Sequence, residues 1–327
     1  MAAGDASPTI TWGALLSSTL MKYIEAGTLM DQVHNRSPLW KWLREKKRMK
    51  ILTGGERIAL PVMYEDSGNF KRYSGLEQLD VTGYEGVTLA FFPGVQAATA
   101  VILSGLDQRS NRGESQVRDA AKDKIFQAES ALADNLATDS YSDGTADGSK
   151  QVAGLLAMVA TTNTSGTYAS INTANNTKWR NQVATSVGNA AVNLLPNLRT
   201  VFNDCLEVAG VQGQPDGIFT TQTMAETLES LIVPAIRYAP GGSGELSAEP
   251  IFRKASINWE AKCQSGVMYI LNSNHVFHFV HRDANMTMNP EGFQRPINQD
   301  ALVAQLLYQG NLATNLRSSL GKLTGLT

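Results

Sequence analysis

Residues 112–139 read RGESQVRDAAKDKIFQAESALADNLATD and have the pattern of one long amphipathic helix. Asn111 is a candidate N-cap, and Glu114 follows it at the spacing of a capping box. At about 1.5 Å per residue the helix would be roughly 40 Å long. The simplest interpretation is a long surface helix of an ordinary domain, and its flanks decide what it is for. The apolar side chains recur with the period of one helix face: Val117, Ala121, Ile125, Ala128, Leu132 and Leu136.

The composition indicates a globular chain without a membrane span or a disulfide framework. Of the 327 residues, 43% are hydrophobic and 18% are charged, which is typical of a folded protein. The 28 basic and 30 acidic residues give a net charge of −2, which argues against a protein that grips nucleic acid along a basic surface. The sequence has no apolar run of about 18 residues and no signal-peptide pattern at its start, so no membrane partner is expected. Cys205 and Cys263 are expected to be ordinary thiols.

An N-terminal arm is expected over residues 1–53. Ser37 and Pro38 mark the start of a short helix, with the serine as cap and the proline at the first helical position. Its predicted buried face is Leu39, Trp42 and Leu43. The basic run at residues 44–50 follows. It is either a solvated face, as short charge blocks usually are, or an arm that faces nucleic acid or a neighbouring subunit. An earlier helix is indicated by Leu15, Leu16, Leu20, Ile24 and Leu29.

A long β-hairpin is predicted over residues 54–106. The outgoing arm ERIALPVMY, residues 56–64, places Ile58, Leu60 and Val62 on one face by alternation. The returning arm is VTLAFFPGVQAATAVIL, residues 87–103, and each arm would be on the order of 40 Å long at about 3.3 Å per residue. Pro61 and Pro93 cannot donate to a ladder, so these strands are expected to be edges or to carry bulges.

The hairpin is expected to need a cover, because a two-stranded ribbon is marginal alone in water. Its apolar side chains would pack either on the rest of the same domain or on another copy of the chain. For the second alternative, the predicted contact residues lie on both arms and at the tip: Leu60, Val62, Tyr64, Phe70, Lys71, Arg72, Tyr73, Phe91 and Phe92.

The loop after the long helix carries two candidate features. Asp139, Asp143 and Asp147 are spaced by four, but they lack the ligand spacing of an EF-hand, so no calcium site is predicted. The Thr/Asn-rich segment that follows is expected to be an ordered loop anchored by Tyr168 and Trp179.

An α/β region is predicted from about Ala184. Strands are expected at residues 251–257, 267–271 and 276–280. From Asp300 the pattern predicts a last long strand, a turn at Gly310-Asn311 and a closing segment. The first helix of the region has an expected core face of Leu198, Val201, Phe202, Cys205 and Val208.

Three clustered histidines are the strongest candidates for chemistry. His275, His278 and His281 lie on a strand pattern, where side chains three apart point to opposite faces. His275 and His281 would stand roughly 20 Å apart, so the ligand geometry of zinc is not met. P-loop, nucleophile-elbow and dinucleotide motifs are absent from the sequence. We therefore predict no enzyme activity, no metal and no cofactor. A site around His275, His278 and Asp283 is the enzyme or ligand-binding alternative.

The order of the parts resembles the major capsid proteins of tailed bacteriophages with the Hong Kong 97 fold, and the resemblance covers nearly the whole chain. Local likenesses are GERIALPV at residues 55–62, the passage from GLL at residue 154 through TYASIN to Trp179, and the ending YQGNLATNLRSSLGKLTG at residues 308–325. The resemblance implies an α+β fold with an N-terminal arm (1–53), an E-loop hairpin (54–106), a P-domain with the spine helix (107–183), an α/β A-domain (184–299) and a return to the P-domain (300–327).

The resemblance also implies self-assembly. Pentamers and hexamers would close an icosahedral shell around double-stranded DNA, without sequence-specific contact, and the chain would be part of a virion assembled in the host cytoplasm. A portal and, in some heads, a decoration protein are further implied partners. Some family members begin with a scaffolding segment that is removed; here the arm begins early, so a separate scaffolding protein or prior processing is expected. Others crosslink a hairpin lysine; Lys71 has no matching asparagine and glutamate, so no crosslink is predicted. The alternative is an encapsulin, a bacterial shell of the same fold that encloses a cargo enzyme.

Overall fold

The computed structural model describes residues 37–63, 68–79, 81–83, 86–110, 120–209, 213–236, 251–289 and 292–327. Within these ranges no helix is both long and apolar enough to cross a bilayer. The helices are α1 (Pro38–Glu45), α2 (Gly105–Ser110), α3 (Ala120–Asp139), the single turns α4 (Ala146–Ser149) and α5 (Leu155–Met158), α6 (Ala190–Ala209) and α7 (Gln222–Ile236). Short 3₁₀ turns span Thr177–Trp179 and Arg317–Ser319.

The strands form two larger sheets and two hairpins. The order in the sheets is β1-β12-β13-β4 and β7-β14-β11-β8-β10-β9, while β2 pairs with β3 and β5 pairs with β6. The strands are β1 (Met49–Leu52), β2 (Arg57–Met63), β3 (Val87–Pro93), β4 (Val95–Ser104), β5 (Thr167–Tyr168), β6 (Ile171–Asn172), β7 (Gln182–Ala184), β8 (Gly217–Thr220), β9 (Ile251–Phe252), β10 (Ala255–Trp259), β11 (Val267–Leu271), β12 (Val276–Met288), β13 (Ala301–Thr314) and β14 (Gly321–Thr324).

The chain folds into two compact units. The described residues of the smaller unit fall within Ala97–Asp134 and Met286–Tyr308, and those of the larger unit fall within Asn35–Gln96, Asn135–Asn285 and Gln309–Thr327. The five segments that the resemblance implies stay a prediction.

The long helix is confirmed over the described residues, and residues 111–119, with the predicted cap, lie outside them. Along α3 the side chains of Ala128, Leu132 and Leu136 are buried, whereas Glu129 and Ala133 are exposed. One face therefore packs and the opposite face is open, as the period predicts. In the smaller unit Lys124 Nζ of α3 donates to the carbonyl oxygen of Ile102 in β4 at 2.9 Å.

The larger unit is built on the six-stranded sheet, against which α6 and α7 pack. The predicted helix at α6 is confirmed, and four of its five predicted core residues are buried, among them Phe202 and Cys205. Val208 is exposed. The closing strand β14 lies between β7 and β11, parallel to the first and antiparallel to the second.

The predicted turn at Gly310-Asn311 is wrong, because β13 continues through both residues to Thr314. Asn311 is held inside the strand by its side chain, which bonds to two other segments.

The short helix of the N-terminal arm is confirmed, with Pro38 at its first position and Leu39, Trp42 and Leu43 buried. Ser37 occupies the N-cap position but does not cap with its side chain. Its hydroxyl instead donates to the buried Glu260 carboxylate at 2.7 Å. This bond fastens the start of α1 to the end of β10.

The basic run after α1 is largely engaged by the chain itself. Lys46 pairs with Asp216 at 2.9 Å, and Arg48 donates to the side chain of Asn274. Lys50 Nζ lies 4.0 Å from the centroid of the Phe277 ring, a cation–π contact. Residues 1–36, with the earlier predicted helix, lie outside the described residues.

Candidate subunit interface

The ribbon, which we define as β2 and β3, is a regular antiparallel ladder. Seven pairs run from Arg57 opposite Pro93 to Met63 opposite Val87. The ladder is about 23 Å long at about 3.3 Å per residue, shorter than the 40 Å predicted. The prediction of one continuous returning arm is wrong: Pro93 and Gly94 end β3, and the chain continues as β4 in the four-stranded sheet.

The inner face of the ribbon is covered by the chain itself. Ile58 and Val62 of β2 and Ala90 and Phe92 of β3 are buried. They pack in one cluster with residues of the larger unit: Ile171, Trp179, Phe277, Phe279 and Ala313. The Phe92 ring meets the Tyr168 ring edge-on at 5.7 Å between centroids. The first of the two alternatives, a cover within the same domain, therefore holds for this face.

The outer face of the ribbon is exposed and apolar over three successive cross-strand pairs. Met63 lies opposite Val87, Pro61 opposite Leu89, and Ala59 opposite Phe91, and all six residues are exposed. Because residues that alternate along a strand share a face, these side chains form one continuous surface. A contiguous apolar patch of this kind, as opposed to single exposed residues, marks an interaction surface.

The tip, which we define as the described residues 68–79 and 81–83, extends the exposed apolar set. Lys71 Nζ lies 3.5 Å from the Glu77 carboxylate and donates to the carbonyl oxygen of Gln78 at 3.3 Å. The Arg72 guanidinium stands 5.7 Å from the centroid of the Phe70 ring. The tip thus has internal contacts that hold a shape while its large side chains face solvent: Phe70, Tyr73, Leu76, Leu79 and Val81.

The predicted contact residues fall into three groups. Phe70, Lys71, Arg72 and Tyr73 are exposed at the tip, and Phe91 is exposed on the outer face. Leu60 is half-buried and packs against the inner cluster. Tyr64 lies outside the described residues.

Val62 and Phe92 are both buried within a single copy of the chain. Their contact with another copy stays a prediction. The sequence reasoning missed Met63, Val87 and Leu89. The cross-strand register, which the sequence does not state, puts these three beside Phe91 on the outer face.

The edges of the ribbon are less open than its outer face. On the free edge of β3, the Phe91 amide donates to the Ala169 carbonyl at 3.0 Å, and the Pro93 carbonyl accepts from Asn311 Nδ2 at 2.7 Å. On the other strand, Pro61 sits in the middle of β2 and has no N–H to offer. The ribbon therefore presents a face to a partner better than it presents a strand edge.

The three clustered histidines do not converge on one site. His278 is buried in β12, where its ring packs edge-on against Trp40 at 4.2 Å between centroids, and burial lowers its pKa to about 3. His275 Nδ1 lies 2.9 Å from Asn315 Oδ1, and His281 Nδ1 accepts from the Asp283 amide at 3.2 Å. Across the described residues, no three His, Cys, Asp or Glu side chains are grouped so that they could hold a metal ion.

Two buried cysteines and one buried lysine are further candidate nucleophiles among the described residues: the thiols are protonated, and the lysine donates a hydrogen bond. Burial raises the pKa of the Cys263 thiol to about 12 and that of Cys205 still further, so both are protonated at neutral pH. Lys322 is buried, donates to Thr161 Oγ1 at 3.0 Å, and has a pKa lowered by burial to about 8. Its ammonium group is part of the packing between β14 and the segment after α5.

No protein-family model and no curated protein matches this sequence. Solved structures do match it over nearly the whole chain. The capsid asymmetric unit of cyanophage A-1(L) aligns with a TM-score of 0.67 and 17% identity over 96% of this chain and 99% of that chain. The capsid of Myoviridae phage XM1 aligns with a TM-score of 0.56 and 11% identity over 95% of this chain and 98% of that chain. The holo-SrpI encapsulin complex from Synechococcus elongatus aligns with a TM-score of 0.59 and 9% identity over 95% of both chains.

These likenesses establish the fold. The chain has the α+β fold of tailed-phage capsid proteins, the Hong Kong 97 fold, as the order of its segments predicted. An encapsulin shell shares that fold at similar coverage.

Proposed function

We propose that this chain is the major capsid protein of a tailed bacteriophage, which self-assembles as pentamers and hexamers into an icosahedral head around double-stranded DNA. The observation that carries the proposal is the apolar outer face of the ribbon, on a chain with a capsid fold. Its six side chains stand in solvent in a single copy, although the inner face of the same two strands is packed. A second copy of the chain is the partner that the proposal assigns to this face.

The apolar side chains of the outer face are large enough to form a strong contact. Fully burying a Val, Leu, Phe or Met side chain stabilises by about 1.5–3 kcal/mol. Met63, Val87, Leu89 and Phe91 together supply such a core for one contact, and each subunit of a closed ring makes the contact once as donor and once as acceptor. The tip adds exposed aromatic residues, which are enriched at protein interfaces.

The charge of the chain is compatible with a container for DNA. Each phosphate contact made by Lys or Arg adds salt-dependent affinity, and a net charge of −2 over 327 residues limits such adhesion. Three of the five basic residues in the run at residues 44–50 already contact groups of the same chain. The proposal has further consequences: a virion location, assembly in the host cytoplasm, and a separate scaffolding protein, a portal and a decoration protein as partners.

The test compares Val87→Asp with Val192→Asp. Val87 is 66% exposed on the outer face, and Val192 is 68% exposed in the first turn of α6, so the same charge is introduced at equal exposure. Electron microscopy and sedimentation of the purified proteins should show shells or capsomers for the unaltered chain and for Val192→Asp, and unassembled subunits for Val87→Asp. A stable monomer of the unaltered chain at high concentration would contradict the assembly function. Normal shells from Val87→Asp would show that the outer face is not needed for assembly.

An encapsulin-type shell is the second candidate, and the likeness to the SrpI encapsulin complex favours it. The particle contents separate the two functions. Particles from the native source should contain double-stranded DNA if the chain forms a phage head, and a co-purifying enzyme without DNA if it forms a nanocompartment. Proteomics and nuclease-resistant DNA measured on the same particles decide between them.

A further inference from the structure

Asn311 is a buried amide that joins three segments of the larger unit. Its Nδ2 donates to the carbonyl oxygen of Pro93 at 2.7 Å, where the ribbon ends. Its Oδ1 accepts from the amide of Ala153 at 3.2 Å, in the segment between α4 and α5, and from the amide of Leu312 at 2.9 Å. The side chain has no exposed surface, so its bonds are made without competition from water.

The chemistry of the three bonds fixes the orientation of the amide. A carbonyl can only accept and the two main-chain amides can only donate, so Nδ2 must face Pro93 and Oδ1 must face Ala153. An aspartate would keep the acceptor but place a second oxygen against the Pro93 carbonyl. A leucine would fill the space but leave buried polar groups without this partner, which is costly. Asparagine is therefore the side chain that fits all three partners.

The bond to Pro93 and the bond from the Phe91 amide to Ala169 both hold the edge of β3 that faces away from β2. Main-chain groups of residues two apart on a strand point to the same edge, and Phe91 and Pro93 both use the edge that faces away from β2. The Phe91 amide reaches Ala169, which lies in the two-residue turn between β5 and β6. Ala169 and Ser170 both have positive φ there, 53° and 68°, which costs energy for residues with a side chain. The Ala169 contact is thus made by a strained turn, whereas the Asn311 contact is made from inside a long strand.

We infer that Asn311 is the positioning residue of the ribbon: its side chain sets the point and direction in which the ribbon leaves the body of the subunit. The inference rests on the proposed function for its consequence, because the direction of the ribbon decides where the outer face meets the next copy. With the Pro93 carbonyl released, the end of the ribbon is no longer held, so its base can pivot about Gly94 and its two strands open more often. Contacts between copies then lose their common geometry.

The test measures the ribbon in unassembled protein first. Asn311→Asp is compared with Asn272→Asp, a control of the same chemistry. Asn272 is equally buried, its Nδ2 donates to the Gly213 carbonyl, and its Oδ1 accepts from the amide of Asn274. Hydrogen exchange should accelerate about tenfold or more for the amides of residues 57–63 and 87–93 in Asn311→Asp only, as expected when one buried hydrogen bond is replaced by a repulsion. If Asn311→Asp fails to fold, Asn311→Ser is measured instead, since a serine keeps a small polar group but cannot reach Pro93.

The same proteins are then assembled and imaged. Asn311→Asp should give shells of mixed diameter or open sheets, while Asn272→Asp gives uniform closed shells. Equal ribbon exchange in the two variants would overturn the positioning role, whatever the assembly result. Faster ribbon exchange in Asn311→Asp together with an unaltered chain that never assembles would leave Asn311 as the positioning residue and reject the proposed function.

Discussion

Acid should lower the unfolding free energy of this protein through His278, and the size of the effect follows from the burial of that side chain. The side chain is 1% exposed and packs against Trp40, and burial lowers its pKa from 6.5 to about 3. The unfolded chain therefore binds a proton below pH 6.5 that the folded chain does not bind until about pH 3. The contribution of His278 to stability is fully present above pH 6.5 and is lost as the pH falls toward 3.

The expected slope is about 1.4 kcal/mol of unfolding free energy per pH unit. At pH 5 the loss relative to neutral pH amounts to about 2 kcal/mol, a large share of the 5–15 kcal/mol that is typical of whole domains. Denaturant unfolding of the unassembled protein between pH 7.5 and 4.5 measures this loss of unfolding free energy. Because carboxylates also titrate in this range, the quantity to compare is the difference between the unaltered chain and His278→Phe.

That difference should shift by about 2 kcal/mol between pH 7 and pH 5, with the variant losing less stability than the unaltered chain. His278→Gln is the second variant. It cannot bind a proton either, so it should give the same pH-dependent shift even though its packing against Trp40 and its absolute stability differ. A difference that stays constant with pH for both variants would refute the reasoning.

Two further substitutions test the anchoring of α1. Gly217→Ala would place a Cβ 2.8 Å from the Trp42 ring, so we expect a loss of about 1–3 kcal/mol in unfolding free energy from overpacking; Gly54→Ala, where no atom lies within 4 Å, should be near neutral in the same unfolding assay. Ser37→Ala removes the hydroxyl that donates to the buried Glu260 carboxylate, which should cost about 1–3 kcal/mol and speed hydrogen exchange in residues 38–45. The exposed Ser230→Ala should change neither quantity, and an equal effect of the two serine substitutions would argue against the anchor.

Periodic segments were predictable because their pattern is set by one buried face. Spacing alone predicts the buried stripe of Ala128, Leu132 and Leu136 and the shared face of Ile58, Leu60 and Val62, and these side chains lie where the spacing places them. The order of such segments was enough to indicate the capsid fold. The exposed outer face was not predictable, because it depends on which residue of β3 lies opposite which residue of β2.

Dipeptides that signal a turn predicted the structure less reliably than hydrophobic periodicity did. Gly310-Asn311 carries a turn signal, yet tertiary bonds to Asn311 keep it in a strand. Pro93-Gly94 is also a break signal, and here the break is real and separates β3 from β4. The two signals differ because Asn311 has bonding partners that are distant in sequence. Its side chain bonds to buried main-chain groups of Pro93 and Ala153, and these bonds keep the residue in a strand instead of a turn. Ser37 follows the same rule, since its hydroxyl bonds to Glu260 and not to the helix it precedes.

Pro61 has a consequence for a single copy of the chain in solution. The proposed shell would need many copies at high local concentration, and an apolar two-stranded ribbon is the kind of element that seeds cross-β fibrils by adding strand to strand. The missing N–H at the centre of β2, together with the bonds that occupy the outer edge of β3, interrupts such growth on both sides. The chain can therefore expose an apolar face without this route to fibril growth, as the proposed assembly from single copies would require.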